Sequence, residues 1–540
     1  MGKNRNKKDR NIKRDKRFKV SFLLFILCLG FYLLTMNNRF SSAQTIEIAV
    51  FVQNLAENHT FGLDHVQNTS QEGVDGRQYC KQGLGYLLTY VPFYLLSKFF
   101  AMKWIFFLVT PLATGLSVAL IFLVGLELKY KRRTAIILAI AYGLGTMVWA
   151  YAKLQFPQPL ASLFIVLTIY FLLRYKNKGN KNWLLAAGAS MAYAIWVRID
   201  TVPLAFFVIL YLLYISLADH SFRNFKKSVP NISKNVLYFS IPFLFLMAIF
   251  FYYNYFRFGS ILETGYTMGK SGVAGRKLSS IHDFVELFKG LTAFWLMPNQ
   301  SLFIASPILI FSLLSLKKFW KRFKPECILF YSTFLIYSIF YSLKGFSGFG
   351  TPTWGMRYAV PWVSLFLLPI GVYIDDLFKP ERIKKEKVFF SILLLSFTFQ
   401  IVGTITNYQT VQMPLIEREK RENKNITDAT LRWRKIRGEL AYKPKYSLLL
   451  THLLSVKYGY GYPERVKKLP QGHNYLVDYY LIQNQTGHPL WGIIFILLTT
   501  ITVSGYFIWK EVRVYKVAVP RQEIKKGRRK RKSKNERRSR

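Results

Sequence analysis

Residues 83–100 read GLGYLLTYVPFYLLSKFF, and whether this stretch crosses a membrane decides the topology of the whole chain. If it crosses, the basic loop KYKRR (129–133) falls outside, and every later basic loop flips with it. Lys and Arg in short loops collect on the cytoplasmic side. Leaving 83–100 out of the bilayer makes the inner loops 126–132, 174–182, 219–235, 317–326, 378–387 and the C-terminal tail. After the first, these loops carry RYKNKGNK, RNFKK, KKFWKRFK, KPERIKKEK and KKGRRKRKSK. Charge bias therefore selects a helix lying on the outer membrane surface, bent at Pro92.

Composition supports a lipid-embedded chain. Of 540 residues, 51% are hydrophobic and 17% aromatic, and only 19% are charged. Soluble domains carry roughly 25% charge. The net charge of +47 would suggest nucleic acid in a soluble protein, but inner loops explain it here, so nucleic acid is not the expected partner. The three cysteines, Cys28, Cys80 and Cys327, are isolated and form neither a metal cluster nor a disulfide framework.

The pattern predicts an all-α polytopic membrane protein with twelve spans, at about 19–36, 104–125, 133–150, 157–173, 183–197, 201–218, 236–253, 301–316, 327–343, 358–377, 388–405 and 490–509. The first 18 residues contain nine Lys or Arg and the last 31 contain 15, so both ends read as basic cytoplasmic tails (1–18 and 510–540) that meet membrane lipids. The run KVSFLLFILCLGFYLLTM reads as an uncleaved first helix. The core is 19–405, with a first outer loop at 37–103. Residues 406–489 read as an outer domain, and 490–509 as the last span. The expected location is the plasma membrane.

Transporters typically carry ionisable residues inside their spans, and this chain shows almost none. Its informative polar residues sit at the outer helix ends: Arg198 and Asp200 in WVRIDTVP, Lys153 in YAKLQFPQPL and Arg357 in WGMRYAVP. A lipid phosphate suits such a site, its tail between helices and its head on Arg or Lys. A basic residue there can also simply snorkel to the headgroups. The first outer loop supplies carboxylates Glu47, Glu57, Asp64, Glu72 and Asp75. A carboxylate can act as general base or hold a divalent cation such as Mg or Mn, and spacing chooses neither. GYTMGKSG is one residue short of a phosphate-binding loop and is set aside.

Several segments, taken in order, resemble the polytopic GT-C glycosyltransferases, in particular the microbial group around protein mannosyltransferases and aminoarabinose transferases. They are DGRQYCKQGLGYLLTYVPFYLL (75–96), GTMVWAYAKLQFPQPLASLF (145–164), NYFRFGSILETGY (254–266), WLMPNQSLFIASPILI (295–310) and WGMRYAVPWVSLFLLP (354–369). The resemblance spans roughly 19–377 and implies a GT-C-like fold with a catalytic loop and surface helices after the first span. It also implies sugar transfer from a polyprenyl-phosphate sugar to a glycan, lipid, cell-envelope polymer or protein acceptor. Glu47, Asp64 or Asp75 would be the base. Arg198, Arg357, Lys81 and Lys153 would face the phosphate, with Asp200 beside Arg198, and Tyr79 and Tyr358 would shape the sugar pocket. Two positions depart from the family pattern: Gln44 stands where a carboxylate follows the first helix, and Gln158 stands where Glu precedes Pro-Leu. The rival readings are a lipid or polysaccharide transporter and a noncatalytic assembly protein.

Overall fold

The computed structural model describes residues 2–36, 43–63, 70–218, 225–266, 281–298, 301–343, 354–405, 415, 418–422, 443–459, 492 and 494–513. Among these residues the chain is helical apart from 3-10 turns, loops and one small antiparallel hairpin. The first helix, α1 (Gly2–Leu34), leads into α2 (Ala43–Glu57), the hairpin β1 (Ser70–Glu72) and β2 (Gln78–Cys80), and then α3 (Leu84–Phe99). There follow α4 (Val109–Glu127), α5 (Arg132–Gly145), α6 (Val148–Ala152), α7 (Pro157–Lys178), α8 (Asn182–Val197), α9 (Val202–Ala218) and α10 (Phe225–Phe258). The second half contains α11 (Ile281–Leu296), α12 (Leu302–Ala305), α13 (Ile310–Arg322), α14 (Lys324–Leu343), α15 (Val363–Leu367), α16 (Ile370–Leu377), α17 (Ile383–Ile405) and α18 (Leu448–Gly459). The last is α19 (Ile494–Arg513).

The chain is an all-α polytopic membrane protein, but the expected twelve spans must be corrected. Among the described residues, 8 helices are long and apolar enough to cross a membrane, or 9 if the bent pair Arg357–Leu367 and Ile370–Leu377 is one span. The other three expected segments are helical but short or broken. Segment 133–150 divides at Thr146, whose backbone is extended and whose hydroxyl bonds back to the Tyr142 carbonyl at 2.6 Å. Segment 301–316 divides at Ser306–Pro307, because proline has no N–H to continue the ladder. Segment 183–197 forms α8, a regular helix of 16 residues. Apolar content alone does not reveal such breaks.

Helix α3, the stretch on which the topology turned, is not among the helices able to cross. Its first half buries Leu84, Tyr86, Leu87 and Tyr90, and its second half exposes Leu95, Leu96 and Phe99. It packs on α2 through Phe51, Tyr86 and Tyr90 in a cluster that continues to Phe106 and Leu160. Tyr193 on α8 ties it down, donating to the Gly85 carbonyl at 2.9 Å and meeting the Thr89 hydroxyl at 2.8 Å.

Four of the expected basic loops meet at one end of the bundle. Arg322 donates to Asp375 at 3.1 Å and to the Lys129 carbonyl at 3.0 Å, and Thr134 donates to Asp375 at 2.6 Å. Lys318, Lys379 and Arg382 converge on Asp376. Arg174 pairs with Glu127 at 3.1 Å, and Lys176 pairs with the buried Glu326. The N-terminus of α7 and the C-terminus of α8 therefore lie at the opposite end, and there the remaining polar side chains collect.

Candidate functional site

Helix α8 ends at Val197, and its backbone turns extended at Arg198 before the 3-10 turn Ile199–Thr201. Residues 198 and 200 then project together. Arg198 Nε donates to Asp200 Oδ1 at 3.0 Å, and its Nη2 donates to Asp200 Oδ2. Two tyrosines of α14 also donate to Asp200 Oδ2, Tyr337 at 2.7 Å and Tyr341 beside it. With four hydrogen bonds donated to it, the Asp200 carboxylate holds Arg198 in place. The pair is nearly buried, at 12% and 11% side-chain exposure.

Arg357 opens the 3-10 turn Arg357–Trp362. Its guanidinium lies 3.8 Å over the Phe156 ring, and its Nη2 donates to Gln44 Oε1 at 3.3 Å. Tyr358 stacks on Tyr341 at 4.5 Å. Gln158, buried at the start of α7, joins the two arginines. In the amide orientation its neighbours require, its oxygen accepts from Arg198 Nη1 at 2.9 Å and from Arg357 Nε at 3.0 Å. Asp200 neutralises Arg198, but the side-chain acceptors of Arg357 among the described residues are amides. Among the described residues no ion pair to Arg357 is found, and its partly exposed guanidinium is a planar donor that matches a phosphate.

The structure brings together Arg198, Asp200, Arg357 and Tyr358 from the expected site, while Lys153, Asp75 and Tyr79 bond elsewhere. Lys153 is buried and directed to α17, where Nζ donates to the Thr404 carbonyl at 2.6 Å. Asp75 and Tyr79 belong to the hairpin: the Tyr79 hydroxyl donates to Asp75 at 2.8 Å, and Tyr79 edges against Phe256 and Phe258. Burial pushes the Asp75 carboxyl up, but the bonds from Tyr79 and the Arg77 amide outweigh it and hold it below its ordinary value. Burial and the Asp75 bond push the Tyr79 hydroxyl up to about 12. Arg257 on α10 holds the hairpin through the Cys80 carbonyl at 3.0 Å. Lys81 lies beside Gly265, next to Tyr266. Tyr266 in turn stands in the field of Arg198, Cys80, Tyr358 and Arg357.

Glu47 is fully buried on α2, one turn from Gln44, and its charge falls on the Cys80 thiol. Burial first, then Glu47, pushes that thiol well up. Glu57 at the far end of α2 accepts from Lys98 at 2.7 Å, Tyr94 at 2.6 Å and Gln53 at 3.3 Å, which hold it at about 2. It is a latch between α2 and α3. Asp64 lies outside the described residues. Among the described residues no three His, Cys, Asp or Glu side chains form a group that could hold a metal ion. Sequence reasoning missed Tyr337 and Tyr341, whose spacing of four on an apolar helix reads as packing. It also flagged Gln44 and Gln158 only as departures, when both are partners of Arg357.

Comparison with known proteins places these features in context. No curated protein matches the sequence. Among solved structures the chain is similar to ArnT from Cupriavidus metallidurans bound to undecaprenyl phosphate, at 13% identity and a TM-score of 0.45, covering 86% of this chain and 84% of that one. It is also similar to the oligosaccharyltransferase of Archaeoglobus fulgidus in the apo form, at 11% identity and a TM-score of 0.47, covering 81% of this chain and 63% of that one. Residues 89–246, the segment that carries Gln158, Arg198 and Asp200, match the family model described as Dolichyl-phosphate-mannose-protein mannosyltransferase.

Proposed function

We propose that this chain is a GT-C type membrane glycosyltransferase. It transfers a sugar from a polyprenyl-phosphate-sugar donor to a lipid-linked glycan, a cell-envelope polymer or a protein. The observation that carries this reading is the Arg198–Gln158–Arg357 cluster, two guanidinium groups bridged by an amide at the end of the bundle away from the ion-paired loops. The family match over 89–246 supports the donor class.

In the reaction an acceptor hydroxyl oxygen bonds to the anomeric carbon and the bond from that carbon to the phosphate oxygen breaks. Charge grows on the departing polyprenyl phosphate, and fixed guanidinium donors stabilise it there without reorganisation. A carboxylate takes the acceptor proton. Of Glu47, Asp64 and Asp75, we assign Glu47, because it shares α2 with Gln44, whose amide meets Arg357. The Gln44 and Gln158 oxygens already accept from guanidinium groups, so this spot does not fit a divalent cation. The gathered basic loops support a plasma-membrane orientation with that end and both termini cytoplasmic and the site on the outer face.

Transfer of a labelled sugar from synthetic polyprenyl-phosphate sugars by the purified protein tests the reading. Wild type should transfer and Arg357→Ala should not. Failure of wild type across a panel of donors and acceptors overturns it.

A further inference from the structure

The segment after α17 had no assignable role in the sequence, yet its described helix α18 reaches the strap that carries Arg357. Trp354, three residues before Arg357, is held on three sides. Its Nε1 donates to Gln400 Oε1 at 2.9 Å, and Gln400 in turn donates to the Ala305 carbonyl at 2.6 Å. Gly403 faces the indole so closely that a Cβ would sit 2.4 Å from the ring. The third side is His452 of α18, whose ring meets the indole edge-on at 4.9 Å. His452 also bonds the Val402 backbone of α17. Gly355 then turns with φ +62 and lies against Ala305 and Met147, so the direction of Arg357 is set by where Trp354 is clamped.

We propose that α18 is a positioning element for the phosphate site: His452, packed on Trp354 against α17, locks the strap and so fixes the Arg357 guanidinium beneath Gln158 and Gln44. Burial first, then the nearby Lys153 charge, pushes His452 down to about 3, so the ring packs as a neutral group at physiological pH. The outer segment thereby becomes part of the active-site scaffold. This inference rests on the phosphate-site reading above only for what Arg357 binds.

The test compares full-length wild type, H452A, H452F and W354F by hydrogen exchange over 354–367 and by direct binding of a polyprenyl phosphate. H452A should speed exchange across the strap while peptides of α4 and α7 keep wild-type protection, and should weaken binding about tenfold. W354F, which loses the Gln400 bond, should act the same way. H452F keeps the ring contact and should restore most of the affinity. Wild-type exchange and affinity in both H452A and W354F overturn the proposal. So does exchange that rises equally through α4 and α7, which would mark a general folding role. If wild type itself binds no polyprenyl phosphate, the substrate reading fails, and the exchange pattern alone decides whether α18 positions the strap.

Discussion

Arg357→Lys separates charge from geometry at the candidate site. The guanidinium makes three simultaneous contacts: 3.0 Å to Gln158, 3.3 Å to Gln44 and 3.8 Å over the Phe156 ring. A lysine ammonium keeps the charge, but it cannot reach both amides in plane while stacking on Phe156. Hydrogen bonds involving a charged group contribute about 1.5–3 kcal/mol each. Replacing the planar fork by a single-point ammonium loses about one charged hydrogen bond to the phosphate, which should cost about 1.5–3 kcal/mol, or about 10- to 100-fold in affinity for polyprenyl phosphate. The assay is calorimetric titration of the purified protein with polyprenyl phosphate, beside sugar transfer at saturating acceptor and a thermal unfolding curve. We expect weakened binding, a matching fall in kcat/KM and a still cooperative unfolding transition whose midpoint falls with the two lost amide bonds. Wild-type affinity in the Lys variant would show that the phosphate does not use the planar donors of residue 357.

Asp200→Asn should destabilise the fold by about 3–5 kcal/mol, because a nearly buried Arg198 loses its counter-charge and one of the two accepting oxygens becomes an NH2 group facing other donors; a wild-type unfolding temperature would refute this. Glu47→Gln should abolish transfer while leaving polyprenyl phosphate binding intact, and full activity in that variant would remove Glu47 as the base. The Glu57 latch has a definite acid dependence. Its folded carboxyl lies at about 2 against an ordinary 4.5, so the stabilisation is complete above about 4.5 and is lost as pH falls through 2. A carbon NMR titration should show that midpoint return toward the ordinary value in Lys98→Met/Tyr94→Phe, and an unchanged midpoint would contradict the latch.

Much of this architecture was legible in the chain. Among the described residues the expected apolar segments are mostly helical, because hydrophobic runs long enough to enter a bilayer must satisfy their own backbone. The Arg198–Asp200 pair was legible because its members are two residues apart. What failed was long-range or local in backbone terms. Thr146 and Ser306–Pro307 break helices whose apolar content is continuous. Lys153 was expected at the phosphate from its place at a helix end, and the sequence did not show that its Nζ donates to a carbonyl 251 residues away. Gln44 and Arg357 lie 313 residues apart, and nothing in either neighbourhood announces that they meet. The substitution of amides for carboxylates at 44 and 158 was visible as a departure. Its effect, an arginine flanked by neutral amides, needed the fold.

The ion-paired loops at the other end bear on how the chain's charge is felt from outside. The net +47 already sets 28 acidic against 75 basic residues, and at this end Arg174, Lys318, Arg322, Lys379 and Arg382 share the carboxylates of Glu127, Asp375 and Asp376. Their positive field closes on neighbouring helix ends. An anionic leaflet opposite that face therefore meets little of the net charge in this belt, and the orienting pull falls mainly to basic residues beyond it.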